Sequence, residues 1–127
     1  MTDKLGQSMN AKDFTDFPWI APWIPVSERG RDAYNHELRM EVGLDHPLYG
    51  VRSKAVARTC HTDDILFELK DHPIAQYAVV HLTFRGRPEQ GPQWPSLVLY
   101  RDLEHWVTQR MLRDAASYEI DQSNQAA

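Results

Sequence analysis

A single cysteine, Cys60, in 127 residues excludes an internal disulfide and any multi-cysteine zinc site. Such scarcity fits a reducing compartment, and the cytoplasm is the expected location. Long apolar runs are missing too, since none approaches the roughly 20 residues that a membrane helix needs. The opening Met-Thr-Asp-Lys-Leu-Gly-Gln-Ser has neither the basic region nor the apolar stretch of a secretory leader. Cations are in deficit, with a formal net charge of −4. Phosphate-backbone binding draws on clustered Lys and Arg through counterion release. Arg85 and Arg87 stand close together, and Arg101, Arg110 and Arg113 share one region, but acids interleave with them, so no nucleic-acid partner is expected.

Catalytic signatures are equally sparse. The Gly86…Gly91 stretch does not open a helix as a phosphate-binding loop must. His36-Glu37 begins like the zinc-protease helix motif, yet Met40 stands where the second histidine belongs. His46, His61, His72 and His105 are scattered, and only His61 with Asp63 and Asp64 comes near a divalent-ion set. No metal and no other cofactor is assigned. Cys60 lacks a glycine elbow or a helix start to activate it and reads as a small core thiol.

What is present fits one domain. Residues 1–16 are polar and without sustained periodicity, and read as a loose tail. Residues 17–25, Phe17-Pro-Trp-Ile-Ala-Pro-Trp-Ile-Pro25, form a Pro/Trp arm in which three prolines forbid a helix and favour extended chain. Trp19 and Trp23 are too large and apolar to stand in water without cause. They either strap across the domain's own core or bind a second copy or another protein, which makes a homodimer through the arm one expectation.

The single α+β domain spans 26–120, and 121–127 is a second tail. Ser27 caps a helix running to about Val42, with Tyr34, Leu38 and Val42 on one face and Gly43 as a left-handed stop closed by Leu44. Strands are expected at Lys54–Cys60, Ile65–Leu69, Gln76–Phe84 and, as a fourth, Ser96–Tyr100. Asp102 then caps the strongest helix, whose Leu103, Trp106, Val107, Met111, Ala115 and Tyr118 make an apolar stripe. This order predicts a two-layer α+β domain: an antiparallel meander of three or four strands with the N-terminal and C-terminal helices on one face.

One ionisable residue, His81, interrupts the apolar run Gln76–Phe84. By alternation Val80, Leu82 and Phe84 face the helices, while His81 and Thr83 lie on the open face with Glu68 of the neighbouring strand. Arg58 joins them if its parity holds, and a one-residue bulge moves it to the other face. Arg58, Glu68, His81 and Thr83 form the best candidate catalytic constellation, because a carboxylate beside an imidazole fixes its tautomer and raises its basicity. The same spacing suits an ordinary cross-strand charged pair. The long loop Arg85–Pro95 carries Glu89 and Trp94 as further candidate contact residues.

The run Tyr77-Ala-Val-Val-His-Leu-Thr-Phe-Arg-Gly-Arg-Pro-Glu89, with Trp94-Pro95 after it and Asp45-His-Pro-Leu-Tyr-Gly50 upstream, is similar to a group of small uncharacterised bacterial proteins. They share a Val-Val-His-Leu-Thr-(Phe or Trp)-x-Gly-x-x-Glu segment. The resemblance covers about residues 38–118 and implies a bacterial, stand-alone cytoplasmic domain, without supplying catalytic residues. Two functions follow. One is a non-enzymatic binding or accessory protein, immunity-protein-like, that meets a protein partner or itself through Trp19, Trp23, Glu89 and Trp94. The other is a small enzyme or ligand-binding domain using the His81/Glu68 face.

Overall fold

The computed structural model describes Phe14, residues 16–88 and residues 91–126. Five strands, β1 (Trp23–Pro25), β2 (Ser53–Thr59), β3 (Asp64–Leu69), β4 (Tyr77–His81) and β5 (Leu97–Tyr100), form one sheet in the order β1-β2-β3-β4-β5. Every neighbouring pair is antiparallel. Helix α1 (Glu28–Glu41) joins β1 to β2. After β5 come α2 (Leu103–Trp106), a π-helical stretch Val107–Met111 and α3 (Leu112–Ala126). The α+β class is as expected, but the sheet has five strands. Among the described residues no helix is long and apolar enough to cross a membrane.

The helices do not share a face. Ile65, Phe67, Leu69, Ala78 and Val80 bury one side of the sheet together with Leu38 of α1 and Val42 just beyond it. Leu66, Tyr77 and Val79 bury the other side with Leu103, Trp106 and Met111 of the C-terminal helices. The expected two-layer packing is therefore corrected to a sheet covered on both faces. The physical reason lies in β3 and β4, whose side chains are apolar in both parities, the pattern of strands buried on two sides rather than one.

The Pro/Trp arm belongs to this body. Trp23 opens β1, pairs with Thr59 and is 0 % exposed, in edge-to-face contact with Trp106 at 5.2 Å. Trp19 is half-buried against Phe17 and Trp106, with its indole N–H donated to the Phe14 carbonyl. Trp23 accordingly has no surface to offer a partner in this fold.

Local chemistry explains the helix and strand ends. The Ser27 hydroxyl accepts from the Gly30 N–H at 3.0 Å, and Asp102 Oδ1 accepts from the His105 N–H at 2.8 Å, so both expected caps are in place. Gly43 is not a left-handed stop. Val42 leaves the helix in extended conformation, its N–H returning to the Leu38 carbonyl, and Leu44 is exposed. Strand β4 ends at His81 instead of Phe84, because the Thr83 and Phe84 N–H groups turn to the Glu41 carboxylate and Phe84 takes a left-handed φ of 59°. Cys60 is exposed just beyond β2, not a core thiol, with its thiol 3.7 Å from the Tyr118 hydroxyl.

Candidate functional site

The best-organised polar cluster lies where β3 begins and β4 ends, under α3. Asp64 and His81 are register partners across the two strands. Asp64 Oδ1 is 2.8 Å from His81 Nδ1. A carboxylate only accepts, so Nδ1 carries the proton and the Nε2 of the neutral ring is left as the acceptor. Nε2 has no partner among the described residues. The ring borders a shallow depression of about 340 Å³, shared with Val79, Ser96, Leu97, Val98 and Arg110.

The other Asp64 oxygen accepts from Arg110 Nη2 at 3.1 Å and from the Thr62 hydroxyl at 3.1 Å. Arg110 Nε donates to Asp114 Oδ2 at 2.7 Å, and the same oxygen takes the Trp23 indole N–H at 2.8 Å. The guanidinium lies 5.6 Å from the Trp23 ring centre. Burial works against the Arg110 charge, yet the Asp114 carboxylate and the Tyr100 hydroxyl outweigh it and hold the group more firmly protonated than usual. The π-helical stretch Val107–Met111 adds a residue to the turn that carries Arg110, just where the helix meets this network. Asp64, Arg110, Asp114 and Trp23 thus bind β1, β3 and α3 to one another, while His81 keeps one nitrogen open.

The set Arg58, Glu68, His81 and Thr83 is not brought together. Glu68 lies opposite Tyr77 and Lys54, four positions along β3 from Asp64, and its Oε1 is 3.2 Å from Lys70 Nζ. At about 3.4 Å per residue that puts it on the order of 13 Å from the His81 register. Arg58 is carried to the α1 face by a bulge between Ala55 and Ala57, so that it faces Ile65, and its Nη1 donates to the Thr59 carbonyl. Thr83 lies beyond β4 and gives its N–H to Glu41. The carboxylate beside His81 is Asp64, one residue before the expected strand Ile65–Leu69. Trp94 is 45 % exposed, and Glu89 lies outside the described residues. Among the described residues no His, Cys, Asp and Glu side chains group to hold a metal ion, and His61 instead meets the Tyr118 ring edge-on at 5.4 Å.

Two buried groups escape sequence reasoning. Glu41, 0 % exposed, accepts from the Thr83 and Phe84 N–H groups at 2.8 and 2.7 Å, and Glu37 one turn earlier accepts from Gly86. Burial, then the hydrogen bond with Glu37, pushes the Glu41 carboxyl up to about 7 against the pull of those backbone donors. His46, 4 % exposed, accepts the Leu48 N–H at Nδ1, which leaves Nε2–H to donate to the Pro95 carbonyl at 2.8 Å. Burial lowers its pKa, although the Pro95 carbonyl favours the charged ring. Between them these groups fix both ends of the Thr83–Pro95 loop. Replacing His46 by Ala strands a buried N–H and a buried carbonyl, and urea unfolding should register a loss of about 2–4 kcal/mol. Comparison of the chain with protein-family models, with curated proteins and with solved structures finds no match.

Proposed function

We propose that the chain is a small non-catalytic binding module that works through protein–protein contact, with the free edge of β5 as its contact surface. The observation that carries this reading is the composition and exposure of that edge. Leu97–Tyr100 is apolar throughout, with no charge or proline inside it, and Val98 at its centre is 51 % exposed. Such edges are normally blunted, because unpaired N–H and C=O groups recruit a further strand. The opposite edge, β1, is three residues long and ends in Pro25. The side chains with acid–base capacity support the same reading. Asp64, Arg110, Asp114, Glu41 and His46 are all engaged in holding elements together. His81, with its open nitrogen, then stands beside the edge as a polar contact.

The occupant best matched to the edge is a second copy of this chain. The His81 N–H donates to the Ser96 carbonyl, so by antiparallel alternation Ser96 and Val98 direct their backbone groups to β4, while Leu97 and Leu99 direct theirs outward. Two such edges pair about a two-fold axis at Val98: Leu97 exchanges both bonds with the partner's Leu99, and Val98 faces the partner's Val98. A continuous sheet through two protomers results, an isologous contact. Charge at position 98 tests it. Val98→Lys and Val98→Glu, each on an exposed side chain, should both be folded monomers, because like charges directly opposite repel. Mixing the two should restore dimers by light scattering. Two monomeric variants that stay monomeric when mixed, or two that dimerise alone, contradict the pairing.

A further inference from the structure

A separate cavity of about 450 Å³ lies on the other face of the sheet, between α1 and the Leu48–Ser53 segment. Its volume falls in the range of small-molecule sites. Its floor is apolar: Leu38, Val42 and Leu48 are members of the buried core, and Val51 packs on them. Its rim presents hydrogen-bond donors. Asn35 Oδ1 is occupied by the Ala55 N–H at 2.7 Å, which leaves the amide NH₂ as the available group. Arg52 is held by Asp71 at 2.8 Å, and Arg39 is exposed with no ion pair among the described residues. Among the described residues no Asp or Glu lines the cavity, although the chain as a whole carries a net charge of −4.

We infer that this cavity is a binding site for a small amphipathic anion, a carboxylate with an aliphatic or aromatic body, whose apolar part rests on Leu38, Val42 and Leu48 and whose charge meets Arg39. An apolar floor under a rim of donors and cations rewards a ligand that is hydrophobic at one end and anionic at the other. A neutral ligand forgoes the rim, and a cation is repelled by it. The Arg39 guanidinium supplies paired donors that match a carboxylate. None of these residues takes part in the β5 edge or the Asp64–His81 cluster, so the site stands independently of the proposed protein contact.

Octanoate, with octan-1-ol as its neutral counterpart, is the probe. Titrated into the full chain and followed by amide NMR shifts, octanoate should bind saturably, move the signals of Leu48–Ser53 and the last turns of α1, and bind more tightly than the alcohol. Arg39→Gln, at an exposed position that leaves the fold intact, should weaken octanoate binding about tenfold, as loss of a charge-assisted hydrogen bond does. That variant should leave octan-1-ol unaffected. Absence of saturable shifts around the cavity, or octanoate affinity unchanged in Arg39→Gln, overturns the assignment.

Discussion

The stability that Glu41 contributes to the native chain should fall as the pH rises from about 4.5 to above 7. Its carboxyl is raised from 4.5 to about 7 in the folded state. The folded chain therefore holds a proton that the unfolded chain has released across that window. A raised folded pKa gives stability that is complete below the unfolded value and is lost as the pH passes the folded one. The full swing is about 3 kcal/mol, a sizeable share of a domain's stability. His46 works in the opposite sense. Its lowered pKa gives stability that is complete above 6.5 and declines as the pH falls. The clean measurement is consequently the difference in urea-unfolding free energy between the native chain and Glu41→Gln, followed from pH 4.5 to 8. Removing the titrating group should abolish the downward slope. The amide should also cost about 1–3 kcal/mol at low pH, since its NH₂ cannot accept the Thr83 or Phe84 N–H. A difference that does not change with pH would show that Glu41 titrates alike in the folded and the unfolded chain. The Thr83–Gly86 loop, with Phe84 in its left-handed conformation, should loosen in Glu41→Leu, where both N–H groups lose their acceptor.

The second large effect is expected from Trp23. Replacing a fully buried tryptophan by alanine costs about 3–5 kcal/mol through lost transfer energy and the cavity left behind. Here the change also removes the indole N–H bound to Asp114 and the ring beneath Arg110. Trp23→Ala should melt on the order of 10 °C or more below the native chain, whereas Trp19→Ala, at a half-buried position, should lose much less. A chain beginning at Val26 forfeits β1 altogether and uncovers the β2 edge, so it should fail to reach a cooperative native state. A truncated chain that folds with the native melting temperature would mean that the arm is not part of the core.

Elements with a local cause are legible in the sequence. The Ser27 and Asp102 caps, the Tyr34-Leu38-Val42 face and the Leu103–Met111 stripe follow from capping chemistry and helical period, and β2 to β5 from their apolar runs between turns. Features that need a partner distant in sequence are not. Strand β1 reads as polyproline because three residues with a terminal proline become a strand only against Ala57, Arg58 and Thr59. The bulge at Val56 reverses the parity of Arg58 and is invisible without the ladder. Covering of both faces is legible in principle, since Tyr77-Ala-Val-Val80 does not alternate between apolar and polar, although the neighbouring His81 and Glu68 suggest an open face. In the candidate site His81 itself stands out in the sequence. Its partner does not, because whether Asp64 or Glu68 lies opposite depends on a register that only the closed sheet decides. Glu41 looks like any helix-end acid until the loop folds over it.

Sedimentation equilibrium of the native chain beside Val98→Lys, from low to high micromolar concentration, bears most directly on the β5 edge as a contact surface. The native chain should move from monomer to dimer as concentration rises. Val98→Lys should remain a monomer with an unaltered far-UV spectrum, because the exposed position tolerates lysine at a cost within the roughly 1 kcal/mol span of strand propensities. A native chain that stays monomeric throughout, or a dimer that persists unchanged in Val98→Lys, would contradict self-pairing through β5.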